Sequence, residues 1–221
     1  MKKLCGDLLL DWVKNLLAVR YISFKEGAIR FGNERMIFVN VFPLIEEFRL
    51  HKSIDTKNYE SISYLSFKES NYMFTHTNFF KFAKNLEQVQ EVSRNVFYTI
   101  GWGEVEFMKT SKEMDFVLIR GKNIAFSEEI KNKFGAQKEP VDFMAAGIFA
   151  GAWQAFSNKT IHCIEVSCRA QKDSMDCQFV ASTEDKILKY ISEFAPERLN
   201  KVEGFLEEVI NLEKALGIAY E

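Results

Sequence analysis

Apolar residues recur at intervals of three and four at Leu4, Leu8, Leu9, Trp12, Val13, Leu16 and Leu17. That spacing predicts an amphipathic helix over 4–19. The pattern then shortens. Apolar and β-branched runs at 21–24, 28–31 and 35–41 are separated by Lys25-Glu26-Gly27 and Gly32-Asn33, which predicts a meander of short strands. Pro43 suits the opening of a helix over 44–51. The polar segment 52–62 reads as a loop and 64–67 as a short strand. Phe79, Phe82, Ala83, Leu86, Val89 and Val92 form one stripe and predict a helix over 79–95.

The second half is patterned more sharply. Residues 96–108 alternate and contain Gly101-Trp102-Gly103, a strand whose glycines allow close approach. A second strand is expected at 114–120. A short helix over 127–134 has Ser127 as N-cap and Gly135 as C-cap. Pro140 precedes an apolar helix over 141–156, which Ser157-Asn158-Lys159 ends. Strands at 160–170 and 175–182 flank a hairpin turn at 171–174, and two helices follow at 183–194 and 196–216. Hairpins interleaved with helices predict an α+β fold, an antiparallel sheet packed against helices. Three regions are expected: a dimerising segment over 1–60, a core over 61–182 and C-terminal helices over 183–221.

Composition narrows the function. Lys+Arg is 29 against Asp+Glu 31, so the basic excess of a nucleic-acid binder is missing. The longest uncharged stretch, 143–156, is too short to span a bilayer and reads as a buried helix. Asp7 and Asp11 interrupt the opening apolar run, unlike a signal peptide, and three of the four cysteines crowd into 163–177, unlike a secreted disulfide scaffold. A reduced, cytoplasmic protein is expected. The 21 phenylalanines imply more apolar surface than one domain hides, so a homodimer is expected. Dinucleotide, phosphate-loop and nucleophile-elbow signatures are missing, which favours a non-catalytic role.

One constellation stands above background. Gly147-Ile148-Phe149-Ala150-Gly151 is followed by Glu165-Val166-Ser167-Cys168-Arg169-Ala170 and then Cys177-Gln178-Phe179. This order resembles the 4-vinyl reductase family of small-molecule-binding domains. Relatives of that family include phenol-sensing regulators and the TRAPP vesicle-tethering subunits. The resemblance covers about 80–182 well and 20–80 loosely. It implies a TRAPP-subunit-like fold, a homodimer, and a sensor for a small hydrophobic molecule that signals to a partner protein. It leaves open a tetrapyrrole-pathway enzyme or accessory and a structural interaction subunit. Two departures stand out: the family's glycine after Ala170 is absent, with a hairpin turn one residue longer, and Asp142 stands where zinc-binding relatives carry a cysteine.

By that resemblance Asp142, Glu165, Cys168 and Cys177 would hold a structural zinc. Thiolates and carboxylates are competent zinc ligands, and four close the site to water. Free cysteines are also good small core residues, so the plain-core reading stands beside it. In a straight strand Cys168 would face away from Glu165, so a bulge near Ser167 is required. His162 and Cys163 are spare ligands. For the hydrophobic ligand the candidates are Trp102, Phe143, Phe149 and Trp153, with His76 as a polar contact or haem ligand. Each aromatic also reads as core, and Gly147 and Gly151 read as close helix–sheet packing.

Overall fold

Alternation of buried and half-buried positions along Phe116–Lys122 marks a strand covered on both faces. The computed structural model of the chain builds a sheet on it, and describes residues 22–25, 28–31, 34–36, 41–54, 58–78, 85–99 and 101–218. The chain divides into two compact units, Met1–Val41 and Phe42–Glu221. The first holds an antiparallel meander of β1 (Ile22–Lys25), β2 (Ala28–Phe31) and β3 (Glu34–Met36), the three short strands expected. The helix expected over 4–19 lies outside the described residues.

The second unit is an α+β sandwich. Its helices are α1 (Val41–Ile54), α2 (Tyr59–Asn78), α3 (Leu86–Thr99), α4 (Ala125–Phe134), α5 (Phe143–Ser157), α6 (Glu184–Phe194) and α7 (Leu199–Ala215), with a 3₁₀ turn at Pro196–Arg198. Its strands β4 (Glu104–Thr110), β5 (Phe116–Lys122), β6 (His162–Ser167) and β7 (Cys177–Ser182) form an antiparallel sheet ordered β4-β5-β7-β6. One face carries Ile119 and Phe179 toward α5, where Phe149 meets Phe179 with ring centres 5.0 Å apart. The other carries Ile164 and Val180 into a cluster with Ile187 and Ile191 of α6 and Val202 and Leu206 of α7. Asn158 ends α5 in the left-handed conformation.

Four local expectations are corrected. The loop over 52–62 and strand over 64–67 are replaced in large part by α2, a helix of 20 residues. Its inward stripe includes Ser61, Tyr64, Leu65, Lys68 and Thr75, so polar side chains hide the helical period. The stripe abuts α5, and the two α5 glycines serve helix–helix contact rather than helix–sheet contact. A Cβ at Gly147 would lie 2.4 Å from the Tyr64 carbonyl oxygen, and one at Gly151 would lie 2.0 Å from that of Lys68. The strand expected from 96 begins at Glu104. Residues before it complete α3, and Gly101 and Gly103 take positive φ in the connecting turn. A Cβ at Gly103 would sit 2.8 Å from the carbonyl oxygens of Lys122 and Asn123. Finally, α4 starts at Ala125, so Ser127 lies inside its first turn and is no cap.

Candidate metal centre and adjoining cavity

The β6–β7 pairing carries a register shift between Glu165 and Ser167, the bulge that the motif requires. Glu165 pairs with Phe179, and Ser167 with Gln178, so one extra residue on β6 rotates the chain. Cys168 thereby reaches the face that Glu165 shares with Cys177. The ligand atoms of Glu165, Cys168 and Cys177 lie within 4.8 Å of one another, and all three residues are buried.

The turn after Cys168 is built to hold sulfur. Arg169 N–H donates to Cys177 Sγ at 3.3 Å, and Ala170 N–H to Cys168 Sγ at 3.4 Å. Gln171 closes the turn by donating its N–H to the Cys168 carbonyl and accepting the Cys168 N–H on Oε1, both at 2.9 Å. From α4, Lys131 Nζ donates to the Arg169 and Gln171 carbonyls at 2.8 and 2.9 Å.

Asp142 stands at the N-terminus of α5, fully buried. Its N–H donates to Glu165 Oε2 at 2.7 Å. Its side chain lies outside the three-residue group but is tied to it: Ser127 Oγ donates to Asp142 Oδ2 and sits 3.3 Å from Cys177 Sγ. Ser127 is the residue that sequence reasoning missed. Its position before two glutamates signals a helix start, and nothing in its neighbourhood points to a contact 50 residues away.

Four acidic groups therefore share one apolar pocket. Burial pushes Asp142 up to about 7 and Glu165 well above the usual carboxylate range. The neighbouring Cys177 thiol draws Cys168 below the usual thiol range, and Cys168 together with burial drives Cys177 up. Glu165 Oε1 and Asp142 Oδ1 are buried without a hydrogen-bond partner. A divalent cation would satisfy both the orphaned oxygens and the crowded negative charge. Two sulfurs and one or two carboxylate oxygens are a zinc donor set. His162 and Cys163 lie outside the group: burial leaves His162 neutral, and Cys163 donates its N–H to Tyr64 Oη at 2.9 Å.

Beside this centre lies a cavity of about 80 Å³ at the outer edge of β6. Phe143 and Ala146 of α5, Ile164 and Glu165 of β6, and Val202 and Phe205 of α7 are among its walls. Of the aromatic candidates, Phe143 reaches it. Trp102 packs between Phe67 and Phe97, Phe149 between Phe97 and Phe179, and Trp153 on Phe107 at 5.5 Å. These three form an aromatic layer separate from the cavity lining. His76 is exposed on α2 beside Tyr72.

Neither a family model nor a curated protein sequence matches the chain. Among solved structures, the phenol-responsive sensory domain of the transcription activator PoxR, solved with phenol, matches with a TM-score of 0.69 at 18% identity, covering 91% of this chain and 96% of that one. The chain has the fold of that sensory domain. A vinyl-4-reductase family protein from Methanocaldococcus jannaschii matches at a TM-score of 0.44 and 18% identity, over 68% of this chain and 83% of that one. A trafficking protein particle complex subunit 3 from Naegleria fowleri, covalently bound to palmitic acid, matches at 0.41 and 11%, over 63% and 90%. A phenol-responsive sensory domain is one of the kinds of protein to which the motif resemblance points. Among the described residues, no helix is long and apolar enough to cross a membrane.

Proposed function

We propose that the chain is a non-catalytic sensor domain that binds a small hydrophobic molecule and signals to a partner protein. The observation that carries the reading is the cavity at the β6 edge, bordered by the same Glu165 that joins the buried Cys168–Cys177 pair. A structural zinc on Glu165, Cys168 and Cys177, with Asp142 as fourth ligand, would fix the β6 bulge and so the cavity wall. Four protein ligands leave no open position for water, which fits a binding role rather than hydrolysis.

The route outward runs through Arg198. Its Nη1 donates to the Glu165 and Val166 carbonyls at 2.9 and 2.5 Å, directly before α7 begins. A molecule seated against Val202 and Phe205 would act on the same helix. Trp153 keeps a buried Nε1 without a partner, and a ligand that reached it, Trp102 and Phe149 would have to open the aromatic layer behind the cavity. The protein would work in the cytoplasm as a homodimer through the segment 1–60. Native mass spectrometry with metal analysis tests the reading. A dimer carrying one zinc per chain and a small bound molecule is expected. A metal-free chain that takes up no apolar probe overturns it.

A further inference from the structure

We infer that the cavity at the β6 edge contains an anion subsite formed by Arg198, with Lys201 at its rim, and that its ligand is a small organic monocarboxylate with a short apolar body. The inference rests on the small-molecule-binding reading and names the ligand class.

Arg198 is a part-buried cation without a carboxylate in ion-pairing reach among the described residues. Its Nη1 is held by two backbone carbonyls, while its Nε is buried and has no hydrogen-bond partner. Neutral carbonyls orient a guanidinium but do not balance its charge. Glu139, Glu165 and Glu197 act on it only from beyond ion-pair distance, so a carboxylate in direct contact would add what these longer-range charges do not supply. A carboxylate is the planar acceptor that a guanidinium edge fits.

The other walls define the rest of the ligand. Phe143, Ala146, Ile164, Val202 and Phe205 are apolar and would take a hydrocarbon body. The cavity, about 80 Å³, is roughly half the ~150 Å³ that admits benzene, so the body is short. Lys201 borders the cavity and is paired at 3.3 Å with Glu139, both more than half exposed, a contact easily exchanged for a ligand. Two acids also border the space. Glu165 turns one oxygen to the Asp142 N–H, and Glu60 stands on α2. A second carboxylate on the ligand would meet them, so a monocarboxylate is selected over a dicarboxylate.

Calorimetric titration with sodium isobutyrate, its neutral shape-mate isobutanol, disodium succinate and phenol tests the inference on wild type, Arg198→Gln and Lys201→Gln. Isobutyrate should bind at least about tenfold more tightly than isobutanol or succinate. Arg198→Gln should abolish that preference, and Lys201→Gln should weaken it about two- to fivefold. Melting curves establish that each variant is folded; should Arg198→Gln fail to fold, the wild-type preference and Lys201→Gln decide. Equal binding of acid and alcohol, or a preference that survives both substitutions, overturns the anion subsite and leaves the binding reading standing. Binding of none of the four compounds overturns both.

Discussion

Lys68 Nζ on α2 lies 2.6 Å from Glu213 Oε1 on α7, with the lysine wholly buried and the glutamate 6% exposed. The pair ties the C-terminal helix to the helix that backs α5. Burial pulls the lysine below its usual pKa, and Glu213 opposes that shift. Removing one partner takes this short contact away from a charge held in the interior. Lys68→Met is expected to cost about 3–5 kcal/mol in urea denaturation. Lys68→Met with Glu213→Leu should recover much of that loss. A single substitution costing under about 1 kcal/mol would mean that the pair is solvated in solution.

How much of this was legible in the sequence depends on whether the inward stripe is apolar. The sheet and α5 bury Val117, Ile119, Phe179, Phe149 and Trp153, so period and composition agree and the elements are readable. The motif Glu165, Cys168, Cys177 even demands the bulge that the pairing contains. In α2 the buried positions include Ser61, Lys68 and Thr75, and the helix reads as loop and strand. Its real signature lies elsewhere in the chain, in Gly147 and Gly151 and in the acid at 213. Ser127 and Arg198 were illegible for a related reason. Each makes its decisive contact across 15 to 50 residues, through geometry that local pattern does not encode.

The α2–α5 contact gives the sharpest packing test. A Cβ at Gly151 would lie 2.0 Å from the Lys68 carbonyl oxygen and 2.8 Å from the Tyr72 nitrogen, both rigid backbone. Gly151→Ala must therefore push two helices apart, and a loss of about 3 kcal/mol is expected. Gly204 lies in α7 with nothing within 4 Å of its would-be Cβ. Gly204→Ala should stabilise by roughly 0.5–1 kcal/mol. A Gly151→Ala variant melting at or above the wild-type temperature would refute the contact.

Asp115 supplies a pH test. Lys159 and Lys186 reach its two oxygens at 2.7 and 2.8 Å and hold its carboxyl well below the usual range. The folded pKa is lower than the unfolded one near 3.9, so the stabilisation is complete above the unfolded value. It is lost as pH falls from roughly 5 toward the folded pKa. Both lysines are 42% exposed, so the effect is on the order of 1 kcal/mol. Asp115→Asn should melt earlier than wild type at pH 7, and the gap should narrow at pH 3 and close only as pH nears the folded pKa. An undiminished gap at pH 3 would show that the charge is not the cause.

The metal centre is tested through a residue that cannot itself ligate. Ser127 donates to Asp142 Oδ2 and touches Cys177 Sγ, so it fixes two of the four proposed zinc ligands while its own oxygen is occupied. Loss of such an orienting group typically costs about 10- to 100-fold in metal affinity. Ser127→Ala is therefore expected to raise the zinc dissociation constant by that factor in chelator competition, with the metal still bound at saturation. Cys168→Ser removes a thiolate outright and should release zinc and lower the melting temperature together. Acidification should also release the metal, because protons compete for both sulfurs and both carboxylates. If Asp142 and the cysteines are only core, Ser127→Ala still destabilises by about 1–3 kcal/mol through the stranded Asp142 oxygen. In that case wild type would carry far less than one zinc per chain, and added zinc would leave every melting curve unmoved.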